Sequence, residues 1–127
     1  MSRQWTIVID CLGRPLLNNQ VHGMHHQEAG RARREWRDVA ATLCRAQRIP
    51  PLDAIRITTW AEYPSRRSLP DCDATAPALK GALDGLVVAQ VIPDDRPPHV
   101  AGITYLPPVV RTQTVPALVL EITEVES

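Results

Sequence analysis

Prolines partition this chain more firmly than any other feature. Pro50 and Pro51, Pro64 and Pro70, and the stretch from Pro93 to Pro98 stand at three separate places. A prolyl nitrogen has no hydrogen to donate and its ring collides with a preceding helical turn, so neither a helix nor a central strand runs through such a point. Regular structure must lie between them, and there the hydrophobic period changes in a definite order. Trp5 to Cys11 (WTIVIDC) is β-branched and aromatic and is closed by Gly13, Arg14 and Pro15, which predicts a strand. Residues 12–29 show no period of either kind and read as a long connection, which in a small domain usually carries function. From Glu28 to Arg48, Ala32, Trp36, Val39, Leu43 and Ala46 recur at helical spacing. Ala54 to Ala61 (AIRITTWA) alternates as a half-buried strand does. A second helix is expected from Thr75 or Ala76 to Ala89, with Leu79, Ala82, Leu83 and Leu86 inward and Pro77 in its first turn, where the missing N–H had no helical partner. Val100–Val110 and Val115–Val125 predict two closing strands joined near Arg111 to Thr114.

This β-α-β-α-β-β order, in 127 residues, predicts one α+β domain over the whole chain, 1–127: a mixed sheet packed against two helices. With 44% hydrophobic and 22% charged residues the chain has the apolar material for a core and lacks the signature of disorder. Neither a leader pattern nor an apolar run of the roughly 18 residues that span a bilayer is present, so no membrane association is expected and a cytoplasmic location is. Cys11, Cys44 and Cys72 are widely spaced without a C-x-x-C pair, which argues against a disulfide framework or a cysteine zinc site. No phosphate-binding glycine loop of either common type occurs, so no nucleotide cofactor is expected.

A formal net charge of zero does not advertise a nucleic-acid partner. The distribution says more. Arg31, Arg34, Arg37, Arg45 and Arg48 fall on the helix face opposite the apolar one, and Arg66 and Arg67 stand in the proline-bounded loop. The stripe has two readings: a solvated face partly paired with Glu35 and Asp38, or a phosphate-contacting face suited to the forked guanidinium. Thirteen of the fourteen basic residues are arginine, and the single lysine is Lys80. His22, His25 and His26 lack a fourth ligand or the H-x-x-x-H spacing of a helical zinc site and are read as loop residues touching solvent or DNA. Trp60, Tyr63 and Tyr105 are read as core or rim packing, with stacking on unpaired bases as the alternative.

Acids gather around the second helix. Asp71-Cys72-Asp73 lies just before it, and an extended backbone would put both carboxylates on one side. The helix N-terminus beside them favours anions. Asp94-Asp95 follows the helix at its other end. Such hard oxygen donors suit Mg²⁺ or Mn²⁺, ions that can activate water for phosphodiester hydrolysis. Lys80 is seven residues beyond Asp73, and helical side chains lean toward the N-terminus, so its ammonium can turn back to the acids. The alternative is an i,i+4 salt bridge to Asp84.

Taken together, Asp71-Cys72-Asp73, Leu79-Lys80-Gly81-Ala82-Leu83-Asp84-Gly85-Leu86 and Ile92-Pro93-Asp94-Asp95 resemble the D-x-D-N…K-x-x-x-D-x-L…D-D signature of RusA-type Holliday junction resolvases, especially their phage-like branch. Leu17-Asn18-Asn19 resembles the S-N-N after that family's first strand, and the resemblance covers nearly the whole chain. It implies a homodimeric, structure-selective endodeoxyribonuclease whose partner is branched DNA and whose cofactor is Mg²⁺ or Mn²⁺. Asp71, Asp73 and Asp95 would hold the metal, Lys80 would be the catalytic lysine, and Asn18, Asn19, Arg31, Arg34, Arg37, Arg45, Arg66 and Arg67 would contact DNA. Two departures accompany it: Ala74 and Thr75 stand where the family has Asn and Leu, and the interval from Asp73 to Lys80 is longer than in short members. The loss of the Asn amide keeps a second expectation open, a catalytically inactive homodimer that binds branched DNA.

Overall fold

The structure is a computed structural model describing residues 2–67, 69–111 and 115–126, with Asn18 described by its backbone only. In chain order the elements are β1 (Gln4–Asp10), α1 (Asn18–His22), α2 (His26–Ala46), β2 (Ile55–Tyr63), α3 (Ala76–Val88), β3 (Val100–Tyr105), β4 (Val109–Val110) and β5 (Ala117–Glu124). They form an α+β domain in which the strands make one mixed sheet of order β1-β5-β2-β3, with β4 paired to the end of β2. β5 runs antiparallel to both β1 and β2, which are therefore parallel to each other, and β3 is parallel to β2. Parallel strands of one sheet need a long crossover between them. α2 provides it between β1 and β2, and α3 between β2 and β3.

The last strand to be made sits inside the sheet because it is the most apolar. Residues 117–120 of β5 are all buried, and Leu118, Leu120 and Ile122 meet Ile9, Ile7 and Trp5 of β1 across the ladder and Ala61, Thr59 and Ile57 of β2. Thr59 is fully buried, and its hydroxyl donates to the Val119 carbonyl at 2.7 Å, which removes the cost of an unpaired polar group there. The helices cover the face carrying Ile7, Ile9 and Ile57, where Trp36, Leu79 and Leu86 complete the core.

The contact between α2 and α3 is set by two glycines. A Cβ on Gly85 would stand 2.3 Å from the Arg37 carbonyl, and one on Gly81 would stand 2.8 Å from the Trp36 Cβ. This second buried side of α2 changes the face expected from the sequence. Ala32 and Trp36 are buried, but Ala40, Ala41 and Cys44 complete the set, while Val39 and Leu43 are half-buried and Ala46 is exposed. Small residues at a close helix crossing have little hydrophobic signal, so periodicity alone passed over them.

Three boundaries also differ. The connection over 12–29 contains α1 and the beginning of α2: Gln20 Oε1 accepts from the Leu16 and Leu17 N–H groups, and His25 Nδ1 accepts from the Gln27 N–H at 3.2 Å. The strand expected over Val100–Val110 divides into β3 and β4, because Pro107 and Pro108 supply no N–H to a ladder. The final strand is shorter than Val115–Val125, and Thr112–Thr114 of the expected joint lie outside the described residues. Among the described residues no helix is long and apolar enough to cross a membrane.

Candidate functional site

The segment leading into α3 is turned, not extended. The Asp71 carbonyl accepts from the Ala74 N–H at 3.2 Å, and the Asp73 carbonyl accepts from the Ala76 N–H at 3.1 Å. The alternation argument for Asp71 and Asp73 therefore does not apply; consecutive turns present them, and both residues are exposed with Cys72 between them. Ala74 and Thr75 point inward instead, at 8% and 1% exposure, so a methyl group is buried where the resemblance calls for an Asn amide. The Thr75 hydroxyl finds no hydrogen-bond partner among the described residues. Pro77 then occupies the first turn of α3, as expected.

One helical turn further on, the Lys80 ammonium donates to the Asp95 carboxylate. The contact spans fifteen residues of sequence and joins two of the residues singled out above. The alternative partner of Lys80 is occupied: Arg33 of α2 holds Asp84 at 2.8 Å. Close approach at Gly81 and Gly85 brings Arg33 within reach, and nothing in the local sequence of α3 signals that pairing. The adjacent acid behaves differently. Asp94 accepts from its neighbour Arg96 at 2.8 and 3.1 Å, and also from the Arg96 backbone N–H at 3.1 Å. Those bonds hold its carboxyl at about 2, well below the usual range. Asp94 thus closes its own turn, leaving Asp95 to face the helix. Arg37, Asp84, Asp94 and Asp95 share the walls of an open cleft of about 420 Å³.

Tyr105 adds a residue that the sequence assigns to packing or base stacking and not to the acids. Burial raises its phenol pKa, and the nearby charge of Asp73 raises it further. Tyr105 ends β3 beside β2, the strand that leads into the loop of Asp73, and no linear spacing connects the two residues.

Among the described residues, no three His, Cys, Asp or Glu side chains converge closely enough to enclose a metal ion. Mg²⁺ is commonly held by only one or two carboxylates, with water and substrate phosphate completing its shell. Asp71, Asp73 and Asp95 offer donors of the right chemistry for such an ion.

The arginine stripe is divided by its partners. Arg37 donates to Asp38 at 2.8 Å, and Arg45 reaches the Val88 carbonyl at the end of α3 at 3.4 Å. Arg48 lies just beyond α2 with φ +55°. Arg31 and Arg34 are exposed and have no carboxylate partner among the described residues. Arg66 and Arg67 are exposed in the turn after β2, and Asn19 is exposed on α1; the Asn18 side chain is not among the described groups. His25 and His26 face each other with ring centroids 4.3 Å apart at the start of α2, where His25 serves as the cap. Cys11 and Cys44 are buried, which pushes each thiol up to about 11, and Cys72 is exposed.

No protein-family model matches the chain, and no curated protein matches it either.

Proposed function

We propose that this protein is a metal-dependent, structure-selective endodeoxyribonuclease of the RusA type, which resolves four-way DNA junctions by paired phosphodiester hydrolysis. The observation that carries the proposal is the ion pair between the chain's single lysine and Asp95, on the helix whose first turn follows Asp71 and Asp73.

In this reading Asp71, Asp73 and Asp95, which do not converge into one cluster in the structure, would be drawn together by Mg²⁺ or Mn²⁺ and would share its shell with water and substrate phosphate. When bound, such an ion supplies a Lewis acid and a water of lowered pKa. The oxygen of water adds to phosphorus, one P–O ester bond breaks, and the strand ends as a phosphomonoester and a hydroxyl. Lys80 leaves Asp95 for the reacting phosphate and steadies its charge. Arg31, Arg34, Arg66 and Arg67 grip neighbouring phosphates, which fixes register without reading sequence. A homodimer presents two such sites, as two symmetric nicks require, and closed two-fold symmetry is the commonest assembly. In this reading the protein acts on DNA in the cytoplasm.

A second reading, the inactive branched-DNA-binding homodimer, is favoured by one observation: the buried Ala74 methyl provides no amide to orient the acids. A labelled synthetic four-way junction separates the two. Wild type should bind it and, with Mg²⁺ or Mn²⁺, cut it in paired strands. Asp73→Asn should still bind and should cut only at background, because one negative ligand is gone while shape is nearly kept. Binding without cutting by wild type in both metals selects the inactive homodimer. Cutting that survives Asp73→Asn sinks the assignment of the site.

A further inference from the structure

We infer that the half-open apolar cleft between α1, α2 and α3 is a pocket for one unstacked nucleobase of the junction; the inference rests on the nuclease reading and adds a determinant of substrate choice to it. The cleft holds about 300 Å³, and its apolar wall comes from Val21 of α1, Ala29, Gly30 and Ala32 of α2, and Pro77 and Ala78 of α3. That is the small end of ligand-pocket sizes and leaves room for a single base.

The space exists because the first turns of α2 carry no side chain larger than a methyl at positions 29, 30 and 32. Glycine inside a helix is unfavourable, so Gly30 needs a reason. Close packing is not the reason. A Cβ there would meet nothing nearer than the tip of the flexible Arg34 side chain, at 3.4 Å, whereas Gly81 and Gly85 lie against the backbone of a neighbouring helix. What Gly30 and its alanine neighbours preserve is the opening itself.

Charge then selects the occupant. Among the described residues the charged groups lining the cleft are Lys80 and Arg33, paired outside it with Asp95 and Asp84. The guanidinium of Arg34, which has no carboxylate partner among those residues, stands at its edge, 3.4 Å from where a Gly30 Cβ would lie. An apolar slot with a cationic rim complements a flat apolar group that carries an anion, which describes a base attached to its phosphate. Lys80 belongs both to this rim and to the contact with Asp95, so a base seated in the cleft brings an adjoining phosphate to the group assigned to chemistry. Arg31 and Arg34 on α2, and Asn19 on α1, lie on the same elements. Bases at a branch point are the easiest in the substrate to withdraw from the stack, since unstacking costs least where pairing is already interrupted.

The test is a cycle between pocket and base, run on the full chain with EDTA so that binding is read without cutting. Junctions carry a single abasic site at each crossover nucleotide in turn, and affinities are compared for wild type and Ala29→Phe, which fills the cleft from a helical position. Removing the captured base should weaken wild-type binding about 10-fold, the order expected when one stacked base is taken away. Ala29→Phe should weaken binding to the intact junction by a similar factor and bind the critical abasic junction as wild type does. A 2-aminopurine at that nucleotide should brighten on binding wild type and not on binding Ala29→Phe. Val21→Phe fills the same cleft from α1 and replaces Ala29→Phe if thermal melting shows that the latter is unfolded. If no abasic position matters to wild type, or the two losses simply add, the pocket is overturned while the nuclease reading stands. If filling the cleft instead changes the sedimentation mass, the cleft joins two copies of the chain and the inference fails. A wild type that binds no junction overturns both readings together.

Discussion

The approach of α3 to α2 at Gly85 makes a stability prediction whose sign is informative. An alanine Cβ there would lie 2.3 Å from the Arg37 carbonyl and 2.7 Å from the Ala40 Cβ, where ordinary contact begins at 3.4 Å. Both neighbours are rigid parts of α2, so the helices must part by about 1 Å, enough to forfeit a quarter to a half of the dispersion energy across the crossing. Overpacking of this kind costs about 1–3 kcal/mol. Against it stands a gain of about 1 kcal/mol, because alanine is a far better helix former than glycine. At 2.3 Å from a backbone carbonyl the cost lies at the upper end of that range, so the steric term wins and Gly85→Ala should be destabilised by about 2 kcal/mol, a fall of about 6 °C in Tm for a chain of this size. Gly30→Ala is the matched control: the same helix-propensity gain meets only the movable Arg34 tip, so that variant should melt about 2–4 °C above wild type. Urea titration and thermal melting by circular dichroism measure both. A Gly85→Ala protein as stable as wild type would refute the close crossing, and with it the explanation of why Arg33 reaches Asp84.

Glu at both Arg31 and Arg34 should weaken junction binding and flatten its dependence on salt, because fewer neutralised phosphates release fewer counterions; fluorescence anisotropy across a salt series reads this, and unchanged affinity at low salt would return those residues to a solvated face. Arg45 is kept in that variant because it serves the end of α3. Lys80→Met should keep the fold and slow cutting by about 100-fold, in line with the removal of other charge-stabilising groups; full activity in single-turnover assays would remove Lys80 from the chemistry. Arg96→Gln should let the Asp94 carboxyl rise from about 2 toward the ordinary range near 3.8, followed by NMR titration. A depressed carboxylate pKa contributes stability that is complete above its unfolded value and is lost as pH falls through its folded one. The variant should therefore lose some advantage between about pH 4 and 2, and an unmoved Asp94 titration would contradict the pairing.

How far the fold could be read from sequence follows from which interactions are local. Prolines and period changes located α2, β2, α3 and β5 to within a few residues, because these signals act within one element. The helical cap at His25 and the bracing of α1 by Gln20 are invisible to periodicity because each replaces a periodic signal with one or two hydrogen bonds. The packed face of α2 was displaced toward Ala40 and Ala41 because its second partner, α3, is chosen by glycines, which carry no hydrophobic signal.

For the candidate site, the distinction is between residues and their partners. Lys80 and the acids stood out as types at suggestive spacings, yet the sequence left Lys80 between Asp84 and the acid loop. The choice is made in α2, fifty-one residues away from Asp84, where Arg33 takes that carboxylate and leaves Lys80 to Asp95. The same pairing explains how a chain of zero net charge can approach DNA. Asp84, Asp94 and Asp95 are each already matched by a cation, whereas Arg31, Arg34, Arg66 and Arg67 have no carboxylate partner among the described residues. Beside α3, the acids without a cation partner among the described residues are then Asp71 and Asp73, the pair assigned to the metal. Loading that pair with a divalent cation converts the repulsive part of the surface into an attractive one, so in this reading metal and DNA should bind with positive cooperativity, each tightening the other by the same factor.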